Sequence, residues 1–329
     1  MPYTVARNRI THLFGEALKK RVAIVGDAML DVYLSGDVER ISPEAPVPIV
    51  RIKERKYALG GACNVAQNVA AIGAVSVLIS AVARDRAGDQ LREMLLAIGE
   101  SGTSLIETGR CTTQKTRIIS HSQQLLRVDE EEDSDLEEAD VARVLLAVRQ
   151  AIASVDAVVL EDYNKGVLVP AVIETAIASA RDRGIPIIVD PKYRNFFHYR
   201  GATVFKPNRR ELEKALGAAF DVDHPETLPG TLARLGVEHL LLTLGERGMM
   251  LVSASGDVMT LPTVAREVYD VVGAGDTVTA YLAVLLAAGA SAPEAAYIAN
   301  IAAGIEVAKL GAATVSVGEI DEHLDALGL

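Results

Sequence analysis

Short, almost wholly apolar runs rich in β-branched residues recur along this chain, separated by longer stretches with helical spacing. The runs fall at residues 21–25, 75–80, 156–160, 186–189, 203–205 and 239–243. Runs this short and this apolar read as strands covered on both faces. Their alternation with helices predicts an α/β architecture, a doubly wound, mostly parallel sheet flanked by helices. Helix starts are marked as well. Ser134-Asp135-Leu136-Glu137 and Ser291-Ala292-Pro293-Glu294 have capping-box spacing ahead of apolar periodicity. Arg7, Arg9, Lys19 and Lys20 punctuate an amphipathic N-terminal helix, and another helix runs from the glycines at 60 and 61 to about Gly73.

Two regions, about 33–57 and 111–129, break this rhythm and alternate like exposed strands. Examples are Val47-Pro48-Ile49-Val50-Arg51-Ile52 and Thr116-Arg117-Ile118-Ile119-Ser120. They predict a small second sheet that projects as a lid from a single domain spanning 1–329. Such a sheet has exposed edges and one apolar face, which pairing with a second copy would cover, so a homodimer through the lid is expected.

At 329 residues the chain suits one main domain with a small appendage. A net charge of −11 argues against nucleic acid as the main partner, so an anionic ligand must be met by local positive charge. Cys63 and Cys111 belong to no C-x-x-C and imply neither zinc nor a disulfide; both read as small buried hydrophobes. The apolar stretch 280–290 is far shorter than the ~20 residues that cross a bilayer. With no secretory signal visible, a soluble cytoplasmic protein without membrane partners is expected. The acidic run 129–140 reads as a solvated helix start rather than a metal site.

The chemistry concentrates at Asp270-Val271-Val272-Gly273-Ala274-Gly275-Asp276-Thr277, where a glycine turn opens directly into an apolar helix. Gly273 and Gly275 let backbone approach a ligand, the helix start points free N–H groups at negative charge, and Asp276 sits where it could take a proton from an attacking hydroxyl. The bland alternative is a glycine turn with Asp276 as an N-cap. Gly60-Gly61-Ala62-Cys63-Asn64 offers a second close backbone approach beside the Asn64 amide, or simply tight helix packing. Asp27, Glu161, Asp162 and Asp190 all fall at the carboxyl ends of expected strands, with Asp31 four residues beyond Asp27; a set of carboxylates suits a polyhydroxylated ligand such as a sugar. Asn208 and Glu211, after Lys206, form either a capping box or a holder for hydrated magnesium against nucleotide phosphates. Thr243 to Gly248 is a glycine turn that either lies along a triphosphate or makes a plain hairpin. A Walker A sequence is missing, and Val278 stands where a dinucleotide fingerprint needs its third glycine.

These motifs in this order resemble the ribokinase-like (PfkB) family of carbohydrate kinases over essentially the whole chain. The resemblance implies ATP with Mg2+, Asp276 as the base, and the amides of Gly273, Ala274 and Gly275 as an anion hole. It implies Asp27, Gly60, Gly61 and Asn64 as sugar ligands, with Asp162 and Asp190 nearby. Lys206, Asn208, Glu211, Thr243, Gly245 and Gly248 would line the ATP and magnesium site, with Asn300 and Gly304 near adenine. Asp270 matches a position that often helps bind a monovalent cation such as K+.

Three further segments, residues 40–48, 123–129 and 162–166, resemble the branch that phosphorylates D-glycero-β-D-manno-heptose 7-phosphate at C1 on the way to ADP-heptose for the lipopolysaccharide inner core. That branch is often fused to a nucleotidyltransferase; this chain is expected to act as a stand-alone kinase. Lys115, Arg127, Lys192 and Arg194 are candidates to meet the 7-phosphate. Three positions depart from the family pattern: Asn164 for a common glycine, Val272 for a frequent threonine, and Cys63 for a usual alanine. A kinase of another sugar, or a non-catalytic sugar-binding regulator, are the competing readings.

Overall fold

The computed structural model describes residues 3–99, 103–121, 123–265 and 267–326. In chain order the strands are β1 (Arg21–Gly26), β2 (Ala28–Ile41), β3 (Pro48–Gly61), β4 (Val75–Ala83), β5 (Ser104–Thr108), β6 (Gln114–Ser120), β7 (Gln123–Glu130), β8 (Ala157–Glu161), β9 (Ile187–Asp190), β10 (Val204–Phe205), β11 (His239–Thr243), β12 (Met249–Ser253) and β13 (Val258–Leu261). The helices are α1 (Arg7–Ala17), α2 (Ala62–Ile72), α3 (Arg86–Ala97), α4 (Glu138–Ile152), α5 (Pro170–Asp182), α6 (Arg209–Leu216), α7 (Leu228–Leu235), α8 (Ala274–Ala287), α9 (Ala292–Glu306) and α10 (Val317–Ala326).

Nine strands form one sheet in the order β13-β12-β11-β10-β9-β8-β1-β4-β5. All neighbours from β11 through β5 are parallel, while β12 and β13 add antiparallel at one edge. Every residue of β8 and β9 is buried, which is why these strands read as unbroken apolar runs. One sheet face packs on residues of α1, α2, α8, α9 and α10, the other on α4, α5, α6 and α7. Helix α8 lies at the centre of the first layer with Val278 to Leu285 buried, so its N-terminus is fixed over the strand ends.

The second sheet has four strands in the order β3-β2-β6-β7. It extends further inward than the alternation alone marked. β2 starts one residue after Asp27, and β3 ends at Gly61 with α2 beginning at the next residue. The inner residues Ala28 to Val32 and Leu59 to Gly61 are buried, whereas the outer halves are open and carry register shifts between Ser35 and Gly36 and between Val38 and Arg40.

Three local expectations are corrected. Helix α4 begins at Glu138, and the Ser134 hydroxyl bonds Glu132 rather than capping a helix. The acidic run 129–140 is therefore mostly a loop, with Glu131 and Asp133 spent on Lys115 and Lys165. Cys111 is exposed, and only Cys63 is buried. The Ser291–Glu294 capping box forms, and α2 ends at Gly73 with φ 96, as their residue types require. No described helix is long and apolar enough to cross a membrane.

Candidate active site

The chain turns into α8 at Gly273, whose φ of 99 is a left-handed value that glycine adopts without strain. A Cβ there would lie 3.1 Å from Asn64 Nδ2 and 3.2 Å from the Ala312 backbone. The Thr277 N–H is the first to reach back into the helix, to Gly273 O at 2.9 Å. The N–H groups of Ala274, Gly275 and Asp276 thus have no intrahelical acceptor and, with the helix dipole behind them, face the strand ends as a cradle for negative charge. A Cβ on Gly275 would meet Lys206 Nζ at 3.5 Å and Asp190 Oδ2 at 3.7 Å, ordinary contacts, so the protein itself leaves space there.

Asp276 is buried in this first turn. Asn64 Nδ2 donates to its Oδ2 at 2.7 Å and the Tyr163 hydroxyl to its Oδ1 at 3.0 Å. Asn64 is itself oriented, because Asn68 Nδ2 donates to Asn64 Oδ1 (3.2 Å) and the Thr277 hydroxyl donates to Asn68 Oδ1 (3.2 Å). Burial pushes the Asp276 carboxyl up to about 6, and Asp190 adds to this; the bonds from Asn64 and Tyr163 and the charge of Lys206 oppose it. The group is ionised at neutral pH and close enough to neutrality to accept a proton.

Glu161 and Asp190, at the ends of β8 and β9, bring carboxylate oxygens within 4.8 Å of one another and of Asp276. Three such acids would repel strongly, and the ammonium of Lys206, 3% exposed and 2.7 Å from Asp190 Oδ2, supplies the balancing charge. Removing one partner of a buried pair like this typically costs about 3–5 kcal/mol. Glu161 is pushed well above the carboxylate range by burial and then by Asp190 and Asp276, and neither of its oxygens has a hydrogen-bond partner. An unpartnered carboxyl beside Asp276 is suited to a ligand hydroxyl.

Two expected sugar ligands are engaged by the scaffold. Asp27 is 2% exposed and accepts from the N–H groups of Tyr163 (2.8 Å), Lys165 (3.0 Å) and Val167 (3.2 Å), so both its oxygens hold the loop after β8. Asp162 accepts from Asn164 N–H at 2.7 Å and the Tyr199 hydroxyl at 2.7 Å, and is equally enclosed. Asn164 adopts φ 55 in the same loop, where asparagine stands in for glycine. The acid next to the paired glycines is Asp31: a Cβ on Gly60 would sit 2.7 Å from its Oδ2. Gly61, at φ 55, makes the turn into α2.

Strand alternation sets Asp31 and Tyr33 of β2 on one face with their register partners Lys115 and Arg117 of β6, and Asp129 and Arg127 of β7. Arg117 pairs with Asp31 and its guanidinium lies 5.3 Å from the Tyr33 ring centroid. Lys115 and Lys165 converge on Glu131 at 2.9 and 3.0 Å. Arg127 is half exposed and pairs with Asp129, 2.8 Å away. Lys192 lies elsewhere, over the Tyr163 ring and paired with Glu211, and Arg194 donates to the backbone oxygen of Asp133. Arg117, Lys165, Tyr163 and Asp31 are thus the neighbours that reading along the chain underweighted.

On the other side of α8 runs a groove of about 600 Å3. Its lining includes Asn208, Thr243, Gly245, Gly248, Gly275, Asn300 and Gly304, with an apolar wall of Met249, Val268, Val271, Val278 and Val307. Thr243 and Asn208 form a parallel bridge, and the 243–248 turn is both a hairpin between β11 and β12 and a rim of this groove. A Cβ on Gly248 would lie 2.1 Å from Leu261 O, and one on Gly304 2.5 Å from Val264 Cγ2. Asn300 Nδ2 donates to Pro262 O at 2.8 Å. Asn208 and Glu211 do form the capping box of α6, so Asn208 Oδ1 and Glu211 Oε2 are engaged by backbone N–H groups and Glu211 Oε1 by Lys192. Asp270 accepts from Val272 N–H (3.0 Å) and Gly311 N–H (3.2 Å), near the buried Glu306.

A doubly wound sheet with a small second sheet over its strand ends defines the ribokinase-like fold. The chain superposes on phosphofructokinase-2 of Escherichia coli with a TM-score of 0.78 at 18% identity, covering 94% of this chain and 99% of that one. For the ribokinase of Arabidopsis thaliana complexed with ribose and ATP, the TM-score is 0.71 at 20% identity over 93% and 98%. The chain belongs to the pfkB family of carbohydrate kinases, whose profile matches residues 19–317. Similar curated proteins include the bifunctional protein HldE of Rhodospirillum rubrum, 45% identical over 314 residues, and that of Caulobacter vibrioides, 47% identical over 315. Each alignment covers 94% of this chain, which spans 63% and 65% of those two relatives.

Proposed function

We propose that this carbohydrate kinase transfers the γ-phosphoryl group of MgATP to the C1 hydroxyl of D-glycero-β-D-manno-heptose 7-phosphate, giving the 1,7-bisphosphate. The observation that carries the reading is the position of Asp276. It lies between the free amides of α8 and a face that combines hydroxyl-binding acids with lid cations. Asp31, Glu161 and the Gly60–Gly61 backbone would take the sugar hydroxyls. Lys115, Arg117, Arg127 and Lys165 supply the positive charge that a phosphorylated sugar needs in a chain of net charge −11.

Asp276 takes the proton of the anomeric hydroxyl as that oxygen bonds to the γ-phosphorus. The bond from phosphorus to the β–γ bridging oxygen breaks, and ADP leaves with the electron pair. The amides of Ala274, Gly275 and Asp276 hold charge on the transferring group, and Lys206 keeps the neighbouring carboxylates from repelling it. Because the oxygens of Asn208 and Glu211 already accept bonds within the protein, this donor set fits a magnesium ion held through its water shell. Bound there, the ion neutralises charge on the nucleotide phosphates. A monovalent cation near Asp270 would also offset the repulsion between Asp270 and the buried Glu306. The exposed apolar residues Ile41, Val47, Ile52, Leu126 and Val128 on the outer lid favour pairing with a second copy, which sedimentation at micromolar concentration tests.

The deciding experiment is MgATP-dependent ADP release with the heptose 7-phosphate beside ribose, fructose and fructose 6-phosphate, the product position being assigned by phosphorus NMR. Selective formation of a 1,7-bisphosphate is expected. Turnover with another acceptor alone would discard the heptose, and silence with all of them would favour a sugar-binding regulator.

A further inference from the structure

Tyr163 touches three parts of the site at once. Its backbone N–H donates to Asp27, which organises the loop after β8, and its hydroxyl donates to Asp276 Oδ1 at 3.0 Å. Its ring carries Lys192 Nζ 4.9 Å from the centroid, and Lys192 pairs with Glu211 at the nucleotide groove. Burial, followed by the charges of Asp276, Glu161 and Asp190, raises the phenol well above its usual range, which favours its neutral, donating form.

The charged and polar groups around Asp276 come from every element packed on it: Asn64 from α2, Glu161 from β8, Asp190 from β9, Lys206 after β10, and Glu306 from α9. Among the described residues, only Asn64 and Tyr163 donate hydrogen bonds to its carboxylate. We propose that Tyr163 is the positioning residue for Asp276, its phenol fixing the plane of the carboxylate and favouring the ionised form that accepts the sugar proton. The inference rests on the reading of Asp276 as the base. A donor aimed at a carboxylate stabilises the charged form. Without it, one hydrogen bond rather than two opposes desolvation, and the proton is released at higher pH.

The test compares the full chain, Tyr163→Phe, and a protein carrying 3,5-difluorotyrosine at 163, a stronger donor of nearly the same shape. Two readouts are taken: the titration of the Asp276 carboxyl by carbon-13 NMR, assigned through its loss in Asp276→Asn, and the pH profile of ADP release. For Tyr163→Phe the titration is expected to move upward from about 6, with kcat/KM falling roughly fivefold or more at low pH and staying within about threefold at high pH. The acceptor KM is expected to hold, and the fluorinated protein to shift the opposite way. An unmoved titration, a loss uniform across pH, or a change confined to KM would overturn the proposal. If Tyr163→Phe does not fold, the fluorinated protein, which keeps ring and hydroxyl, decides alone. If the wild-type chain phosphorylates no sugar, the NMR titration still judges Tyr163, and only the kinase reading of the site fails.

Discussion

The two sides of α8 are built on opposite plans. On the acceptor side, buried charges answer one another: Asp190 with Lys206, Asp31 with Arg117, and Asp276 with Asn64 and Tyr163. On the nucleotide side the groove has an apolar wall and glycine rims, and Asn208 and Asn300 are tied to backbone. The first side is set by charge. The second is set by shape and is intolerant of added volume.

The largest effect should come from removing the charge at the centre of the first side. Asp276→Asn is expected to lower kcat by ~10² or more while sugar binding by calorimetry is kept, the scale of a lost general base. Near-normal turnover would remove Asp276 from the mechanism. Shape is probed next by two glycines. Gly248→Ala places Cβ 2.1 Å from a backbone oxygen at φ 84, so a loss of roughly 2 kcal/mol or more in a denaturant melt is expected, together with weaker ATP binding. Gly275→Ala meets only ordinary contacts. It should melt like the wild type yet lose turnover, because the new methyl lies where the transferring group must pass. Equal melting losses for both would erase the contrast.

Smaller still is Arg127→Ala, for which a several-fold rise in KM for the phosphorylated sugar and little change in stability are expected, since its ion pair is exposed. An unchanged KM would remove Arg127 from phosphate recognition. The smallest effect concerns pH. Asp27 and Asp276 are both raised to about 6 from 3.8, so the native state holds protons that the unfolded chain has released. Ligand-free stability from these groups should therefore fall as pH rises from about 4 through 6, and stay lowered above that. Asp276→Asn abolishes its own share, so the variant should melt somewhat higher than the wild type at pH 8 and show a shallower decline.

The main sheet was legible because buried parallel strands need unbroken apolar runs, and those runs lie where the strands formed. Asp276 was legible because the glycine turn, the acid and the helix are contiguous. Asp31 was named only by its spacing from Asp27, since the lid was expected to begin at about residue 33. With β2 starting at Ala28, period-two alternation sets Asp31 with Tyr33 on one face, and the register with β6 brings Lys115 and Arg117 beside them. A strand-end acid can also spend its oxygens on backbone, as Asp27 does, and the N–H groups it binds lie some 136–140 positions away. Tyr163, Lys165 and Glu306 owe their settings to contacts that no local spacing records.

The β2–β3 arm of the small sheet has no loop at its root. β2 leaves the core one residue after Asp27 and β3 returns straight into α2, so the arm is a cantilever whose fixed end carries Asp31 and Gly60 and whose compliance lies beyond the shifts at Ser35 and Val38. Deflection of the tip need not disturb the residues at the clamp. The outer half is thereby free to diversify in length and sequence while the acceptor-facing end stays in register with the sheet.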